Sequence, residues 1–225
     1  MSHFGSQGWW PTTKNGAVAP SYALTPRVKS LTSLEQFEIC VGAILTQNTA
    51  WSNVEKALIE LHKRGIKTPQ SIIEISSSSL EKLIRPSGYF RQKAKKLKLF
   101  SRYVVDHYQG NVSKLLKQPG AKVREELLEL YGIGPETADS ILLYAATHAI
   151  FVVDAYTKRI GQRLGLFNTE KYEEVQNYFH TRLQKSAPLY NEYHALLVAL
   201  GKDFCRPTPR CPGCPLKNVC KFNHS

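Results

Sequence analysis

The chain has 225 residues, 42% of them hydrophobic, which is enough to bury one good core or two small ones. Thirty lysines and arginines against eighteen acids leave a formal charge of +12, a long-range positive field that attracts polyanions, nucleic acid before membrane surfaces. No stretch reaches the roughly 18 uninterrupted apolar residues of a membrane span, and the first thirty residues lack a basic segment followed by an apolar run, so a soluble intracellular protein is expected.

Residues 1–30, through Gly8-Trp-Trp-Pro11 and Ala19-Pro-Ser21, are rich in Gly, Pro and polar side chains and read as an extended arm pinned by its tryptophans. Thr32 and Glu35 then have capping-box spacing, and Leu34, Phe37, Val41, Ile44 and Leu45 recur at helical intervals up to Gln47-Asn-Thr49. A second amphipathic helix turns Val54, Leu58 and Leu61 inward. Residues 71–84 repeat the pattern, with an N-cap inside Ser76-Ser-Ser-Ser79 and an apolar side of Leu80, Leu83 and Ile84. Nothing alternates with a strand period long enough to build a sheet, so the fold class is all-α.

Two helix-turn-helix units follow, at residues 83–94 and 127–138, and the second enters an apolar helix from Ser140 to Ala149. The run Lys93-Ala-Lys-Lys-Leu-Lys98 reads most simply as a solvated helix face, with phosphate contact as the alternative. Long helices resume after Asp154 and continue to the cysteine tail.

Three features carry chemistry. In Gly132-Ile-Gly134 two glycines flank an apolar residue, so the backbone can turn sharply and point free N–H groups at a DNA phosphate; a plain tight turn between packed helices is the other reading. Asp154, at a helix start after an apolar run, has N-capping as its ordinary role. Cys205, Cys211, Cys214 and Cys220 are spaced C-x5-C-x2-C-x5-C, with Cys40 isolated in an apolar helix, which points to a metal centre in a reducing compartment rather than a disulfide frame. Four thiolates suit a 4Fe-4S cluster or tetrahedral zinc, and one Cys-x-x-Cys between two longer gaps is unlike the paired knuckles of a zinc ribbon. Lys202, Arg206, Arg210, Lys217 and Lys221 surround these ligands.

The segment Leu130-x-Gly-Ile-Gly-x-x-Thr-Ala138, the apolar helix, Val152-Val-Asp154, Ala43-Ile-Leu-Thr-Gln-Asn-Thr49 and the cysteine tail resemble the helix-hairpin-helix DNA glycosylase superfamily, whose type member is endonuclease III. The resemblance covers nearly the whole chain. Within it, the Trp-Trp-Pro arm, the aromatic after Gln-Asn-Thr, Arg85-Pro-Ser-Gly88 and Val-Val-Asp are closest to the branch of 3-methyladenine DNA glycosylase III. It implies a two-lobed all-α glycosylase: residues 31–138 form a helical barrel carrying the hairpin, residues 1–30 and 139–225 form the second lobe, and the active site lies in the cleft.

The same resemblance implies site roles. Asp154 is the catalytic carboxylate, stabilising positive charge on the sugar and orienting or deprotonating water. Trp9 and Trp51 sandwich an extruded base, Pro11 and Glu136 belong to the pocket, and Gln47 fills the gap in the duplex. Gly132, Ile133, Gly134 and Thr137 serve DNA binding. An alkylated purine carries positive charge, so two electron-rich ring faces favour it over a neutral base. Bifunctional members carry a lysine directly before Thr-Ala, because an amine must form the Schiff base; here that position is Glu136, so a monofunctional enzyme leaving an abasic site is implied. Lys158 is the possible substitute amine, though a surface or phosphate-binding lysine is its plainer reading.

The cysteine tail departs from this branch, whose better-known members lack it, and its first gap is one residue shorter than in endonuclease III-like enzymes. The implied cofactor is a structural 4Fe-4S cluster. The implied partner is double-stranded DNA containing a damaged base, bound by a monomer in the cytoplasm at the nucleoid. Two rivals stay open: an endonuclease III-like glycosylase for oxidised or deaminated bases, and a non-catalytic DNA-binding iron–sulfur module.

Overall fold

The computed structural model describes residues 3–22 and 31–224; residues 23–30 of the expected arm lie outside them. Contacts divide the chain into two units, Trp10–His148 and Met1–Trp9 with Ala149–Ser225. The divisions fall at Trp10 and His148, where the chain itself pointed to residues 31 and 138. Packing explains the placement of the arm. Trp10 is buried with its indole against Gly42, and the Thr13 N–H and hydroxyl both donate to Glu38 Oε1, at 2.9 and 3.0 Å.

In the larger unit a two-residue antiparallel ladder, β1 (Thr12–Thr13) on β2 (Pro20–Ser21), folds the arm back on itself. The helices are α1 (Ser33–Leu45), α2 (Trp51–Lys63), α3 (Pro69–Glu74), α4 (Ser77–Leu83), α5 (Phe90–Tyr108), α6 (Val112–Leu116), α7 (Gly120–Glu129) and α8 (Pro135–Ser140). The expected capping box starts α1. Thr32 Oγ1 accepts the Glu35 N–H at 3.2 Å and Glu35 accepts the Thr32 N–H at 2.9 Å. Burial raises the proton affinity of Glu35, but the Thr32 N–H and the Lys14 ammonium outweigh it and hold the carboxyl at about 2.

Helix α1 is the centre of this unit, with Ile39, Cys40, Ile44 and Leu45 fully shielded and Phe37 stacked on Phe100 of α5. Each such aliphatic side chain contributes about 1.5–3 kcal/mol of burial free energy. The expected helix over 71–84 is two helices, because Ser76 leaves α3 extended and caps α4 by accepting the Ser79 N–H at 3.2 Å. The helix expected from Ser140 to Ala149 ends earlier. After α8 it widens into a π turn over Ile141–Ala145, and Thr147 takes a left-handed φ of 56°.

The lysine run is not a uniformly solvated face. Lys93 is only 2% exposed, and its ammonium donates to the carbonyls of Leu45 at 2.9 Å and Ser87 at 2.6 Å. Burial, then the neighbouring Lys96, lowers its proton affinity to about 8. Two helix-terminal carbonyls, one closing α1 and one in the turn before α5, have no helical partner of their own, and a long flexible cation supplies one to both. Lys93→Met keeps the stem and removes the donor. Its expected effect is a loss of about 1–3 kcal/mol for each stranded carbonyl, read as a lower urea midpoint.

The smaller unit holds α9 (Ala155–Leu164), α10 (Tyr172–Arg182) and α11 (Ala187–Asp203), followed by three short 3-10 turns through the cysteine tail. Its core is aromatic, with Phe151 stacked on Phe179 at 4.1 Å and Tyr190 and Tyr193 set edge-on against Phe151. Among the described residues no helix is long and apolar enough to cross a membrane.

Candidate active site

The hairpin is α7, a turn, and α8. Gly132 has φ +77°, a left-handed backbone that favours glycine, and a Cβ there would also displace the Lys96 side chain. Ile133 is buried at 5% exposure and anchors the turn, while Gly134 precedes α8 in an extended conformation and leaves its surroundings open. A helix beginning after such a turn presents unpaired N–H groups.

Gln47 is tied to this turn. Its Nε2 donates to the Gly132 carbonyl at 3.0 Å and to Thr137 Oγ1 at 2.9 Å, and its Oε1 accepts from the Lys96 ammonium. A carbonyl can only accept and an ammonium only donate, so the orientation of the amide follows from its partners. Glu136 is exposed in the first turn of α8, directly before Thr137 and Ala138. Lys95 lies over the exposed ring of Tyr131, 4.4 Å from its centroid.

Trp51 starts α2 and is buried, and Pro11 is buried beside Trp10 in the chain. Trp10 meets Trp51 edge-on with centroids 5.1 Å apart, and Trp10 in turn lies 5.1 Å from Tyr144. The Tyr22 hydroxyl of the arm donates to Glu55 of α2 at 3.4 Å. Trp9 belongs to the smaller unit, half-buried, with Lys202 Nζ 6.0 Å from its ring centroid. Trp10 therefore has the anchoring role that the sequence offered for the tryptophans of the arm.

Asp154 caps α9. Its Oδ1 accepts the Thr157 N–H at 2.7 Å, and its Oδ2 lies 3.6 Å from Nε2 of His194 on α11. Burial would raise the proton affinity of this carboxyl; His194 and the Thr157 N–H outweigh it and hold the group below the usual carboxylate range. The result is a shielded, ionised carboxylate at the positive end of a helix, suited to stabilising a neighbouring cation. Sequence reasoning did not single out His194, because a histidine inside an apolar helix carries no local signal of its partner. Lys158 donates to the Glu170 carbonyl at 2.7 Å.

The four tail cysteines lie in one segment, all half-buried. Burial raises the Cys214 thiol, opposed by the Leu216 backbone, with Cys205, Cys220 and Cys211 adding to the rise. Arg163 of α9 donates to Cys205 Sγ at 3.3 Å and to the carbonyls of Arg206 and Pro207 at 2.6 and 2.9 Å, and its own carbonyl accepts from Cys220 at 3.5 Å. Arg163 thus holds the start of the segment with its guanidinium and Cys220 with its backbone carbonyl. Among the described residues no three acidic, histidine or cysteine side chains converge on a single-ion position.

Residues 41–185 match the HhH-GPD superfamily of base excision DNA repair proteins. A candidate DNA repair glycosylase of Methanocaldococcus jannaschii is 40% identical over 98% of this chain and 91% of its own length. Among solved structures, H. pylori 3-methyladenine DNA glycosylase bound to 1,N6-ethenoadenine is 31% identical with a TM-score of 0.66, covering 76% of this chain and 89% of that one. An endonuclease III trapped as a covalent intermediate with DNA is 26% identical with a TM-score of 0.73, covering 84% of each chain. The protein is a base excision repair DNA glycosylase of the HhH-GPD superfamily, built on the helical fold of the endonuclease III-like enzymes.

Proposed function

We propose that the protein is a monofunctional DNA glycosylase that releases alkylated purines such as 3-methyladenine from double-stranded DNA and leaves an abasic site. The observation that carries the single-activity assignment is Glu136, in the place before Thr137-Ala138 where a lysine nucleophile would stand. A carboxylate cannot form a Schiff base, so water is the nucleophile. Lys158 is held at the Glu170 carbonyl and is not needed.

In this reading a monomer binds the duplex through its basic surface, and the hairpin turn at Gly132, Ile133 and Gly134 takes a backbone phosphate on its N–H groups. Gln47 replaces the extruded base, and the aromatic faces of Trp9 and Trp51, with Pro11 and Glu136 at the pocket, hold a cationic purine. As the bond to the sugar breaks, positive charge develops on the sugar and Asp154 stabilises it while directing water. The alkylated base is already a good leaving group. Support for the substrate class is the likeness to the H. pylori 3-methyladenine enzyme and the Trp-Trp-Pro arm.

Cys205, Cys211, Cys214 and Cys220 would hold a 4Fe-4S cluster, for which a compact set of four thiols braced by Arg163 is a fitting donor set. Bound there, the cluster supplies a covalent cross-link for the tail. The same cysteine tail, with the endonuclease III fold, favours a second reading: excision of oxidised or deaminated bases.

The experiment is release of free base from methylated duplex DNA beside duplexes carrying uracil, thymine glycol or 8-oxoguanine, each read before and after alkali. Methylpurine release with strand breaks only after alkali is expected. Release from another duplex replaces the substrate, and breaks without alkali refute the argument from Glu136.

A further inference from the structure

A buried histidine accompanies the catalytic carboxylate. The side chains of His194 and Asp154 are 9% and 12% exposed, and Nε2 lies 3.6 Å from Oδ2. Oδ1 is already taken by the Thr157 N–H at 2.7 Å. The approach is built into the helices. Gly201, two turns after His194 on the same face of α11, receives the ring of Tyr156 where a Cβ would collide, and so lets α9 and α11 pack closely. An ionised carboxylate only accepts, so the imidazole presents an N–H to it.

We infer that His194 is a positioning residue for Asp154, its Nε2–H orienting the carboxylate and keeping it ionised beside the reacting sugar. Oδ1 is fixed by the helix cap, and the imidazole, 3.6 Å from Oδ2, is near enough to bias the plane and charge of the carboxylate without a formed hydrogen bond. Preorganised charge of this kind is worth more than charge that must reorient during the reaction. The inference rests on the reading that Asp154 acts on the sugar.

The pH consequence has a definite sign. The working form of Asp154 is ionised, so activity is lost as pH falls through its titration. Burial alone would move that loss upward, and His194 and Thr157 together move it below the usual carboxylate range. Removing His194 leaves burial opposed by Thr157 alone, and the acid limb moves to higher pH. Other titratable groups on the packed helices are engaged elsewhere. On α9, Lys158 donates to the Glu170 carbonyl, and Arg159 donates to the Cys205 carbonyl and lies over Tyr156. On α11, Glu192 accepts the Gln7 N–H, Tyr193 packs on Phe151 and Phe179, and Tyr190 stacks with His180 of α10.

The test follows the Asp154 carboxyl by carbon-13 NMR titration in wild type, His194→Leu and His194→Gln, with single-turnover base release across the acid limb. Asp154→Asn serves as the control. Leu should raise the carboxyl titration by about one unit or more and slow release about tenfold to a hundredfold, as expected for loss of a close, partly buried electrostatic partner. Gln, which keeps an N–H donor, should lie between Leu and wild type, and affinity for duplex carrying an abasic analogue should stay within about twofold for both. A carboxyl that titrates alike in all three proteins overturns the inference, as does an unmoved acid limb. Full release by Asp154→Asn would instead refute the catalytic reading of Asp154, a result the titration does not depend on.

Discussion

Asp154→Asn is expected to bind damaged duplex as wild type does and to release base roughly 10²–10⁴-fold more slowly, the usual contribution of a positioned acid–base group. The substitution separates the two roles the residue has in the structure. Asparagine caps a helix as well as aspartate, so the contact to the Thr157 N–H, 2.7 Å in the native protein, and the start of α9 are retained. The negative charge is lost. A neutral amide cannot offset the positive charge that builds on the sugar, and its nitrogen cannot take a proton from water. The thermal unfolding temperature should fall modestly at neutral pH, because His194 and the Thr157 N–H outweigh burial in favour of the charged form while the cap persists. Single-turnover release, measured with affinity on the same duplex, checks this; a variant that releases base at the native rate would leave Asp154 with the capping role alone.

The second large effect is expected from Cys214→Ser. From Cys205 to Phe222 no residue of the tail is buried, and its local structure is three 3-10 turns. Such a segment has no apolar core of its own, so a metal bond to four thiolates would be its main source of order. The Arg163 guanidinium, the Cys205 N–H bond to Leu200 at 2.8 Å, and the contacts of Cys220 and Phe222 with Arg163 at 3.5 and 4.7 Å tie the segment to the helices only near its two ends. The variant is expected to lose iron and visible absorbance, to become open to trypsin at Arg210 and Lys217, and to bind DNA more weakly because the cations of the tail are no longer held in place. Helices α1–α8 have a separate core and should keep their far-ultraviolet signal. A wild-type protein that is colourless and contains zinc would replace the cluster with zinc, and a Cys214→Ser protein with native iron content would remove Cys214 from the ligand set.

Features with short sequence range were legible from the chain alone. The Thr32–Glu35 box, the Ser76 cap, the glycine turn at 132–134 and the cap at Asp154 are each written within about four residues, the reach of a helical turn, and the structure has all of them. The order of helices was readable from apolar periodicity for the same reason, and the family could be recognised because its motifs are local strings. The glycosylase chemistry was implied by those strings, and the substrate remains a matter for the base-release assay.

Tertiary structure decided what depends on partners far away in the chain. Lys93 looks like one more surface lysine until its ammonium is seen at the carbonyl of Leu45, forty-eight residues earlier. Trp10 meets Trp51 across forty-one residues of chain. Gln47 reaches the Gly132 carbonyl across eighty-five residues. His194 stands beside Asp154 because Gly201 and Tyr156 let α9 and α11 approach, a condition no single stretch of sequence contains. Caps, turns and helical periods are set by neighbours along the chain, and sequence determined them here. The charge environment of a lysine or a carboxylate is set by whatever packing brings within a few ångströms, and only the folded chain decides that.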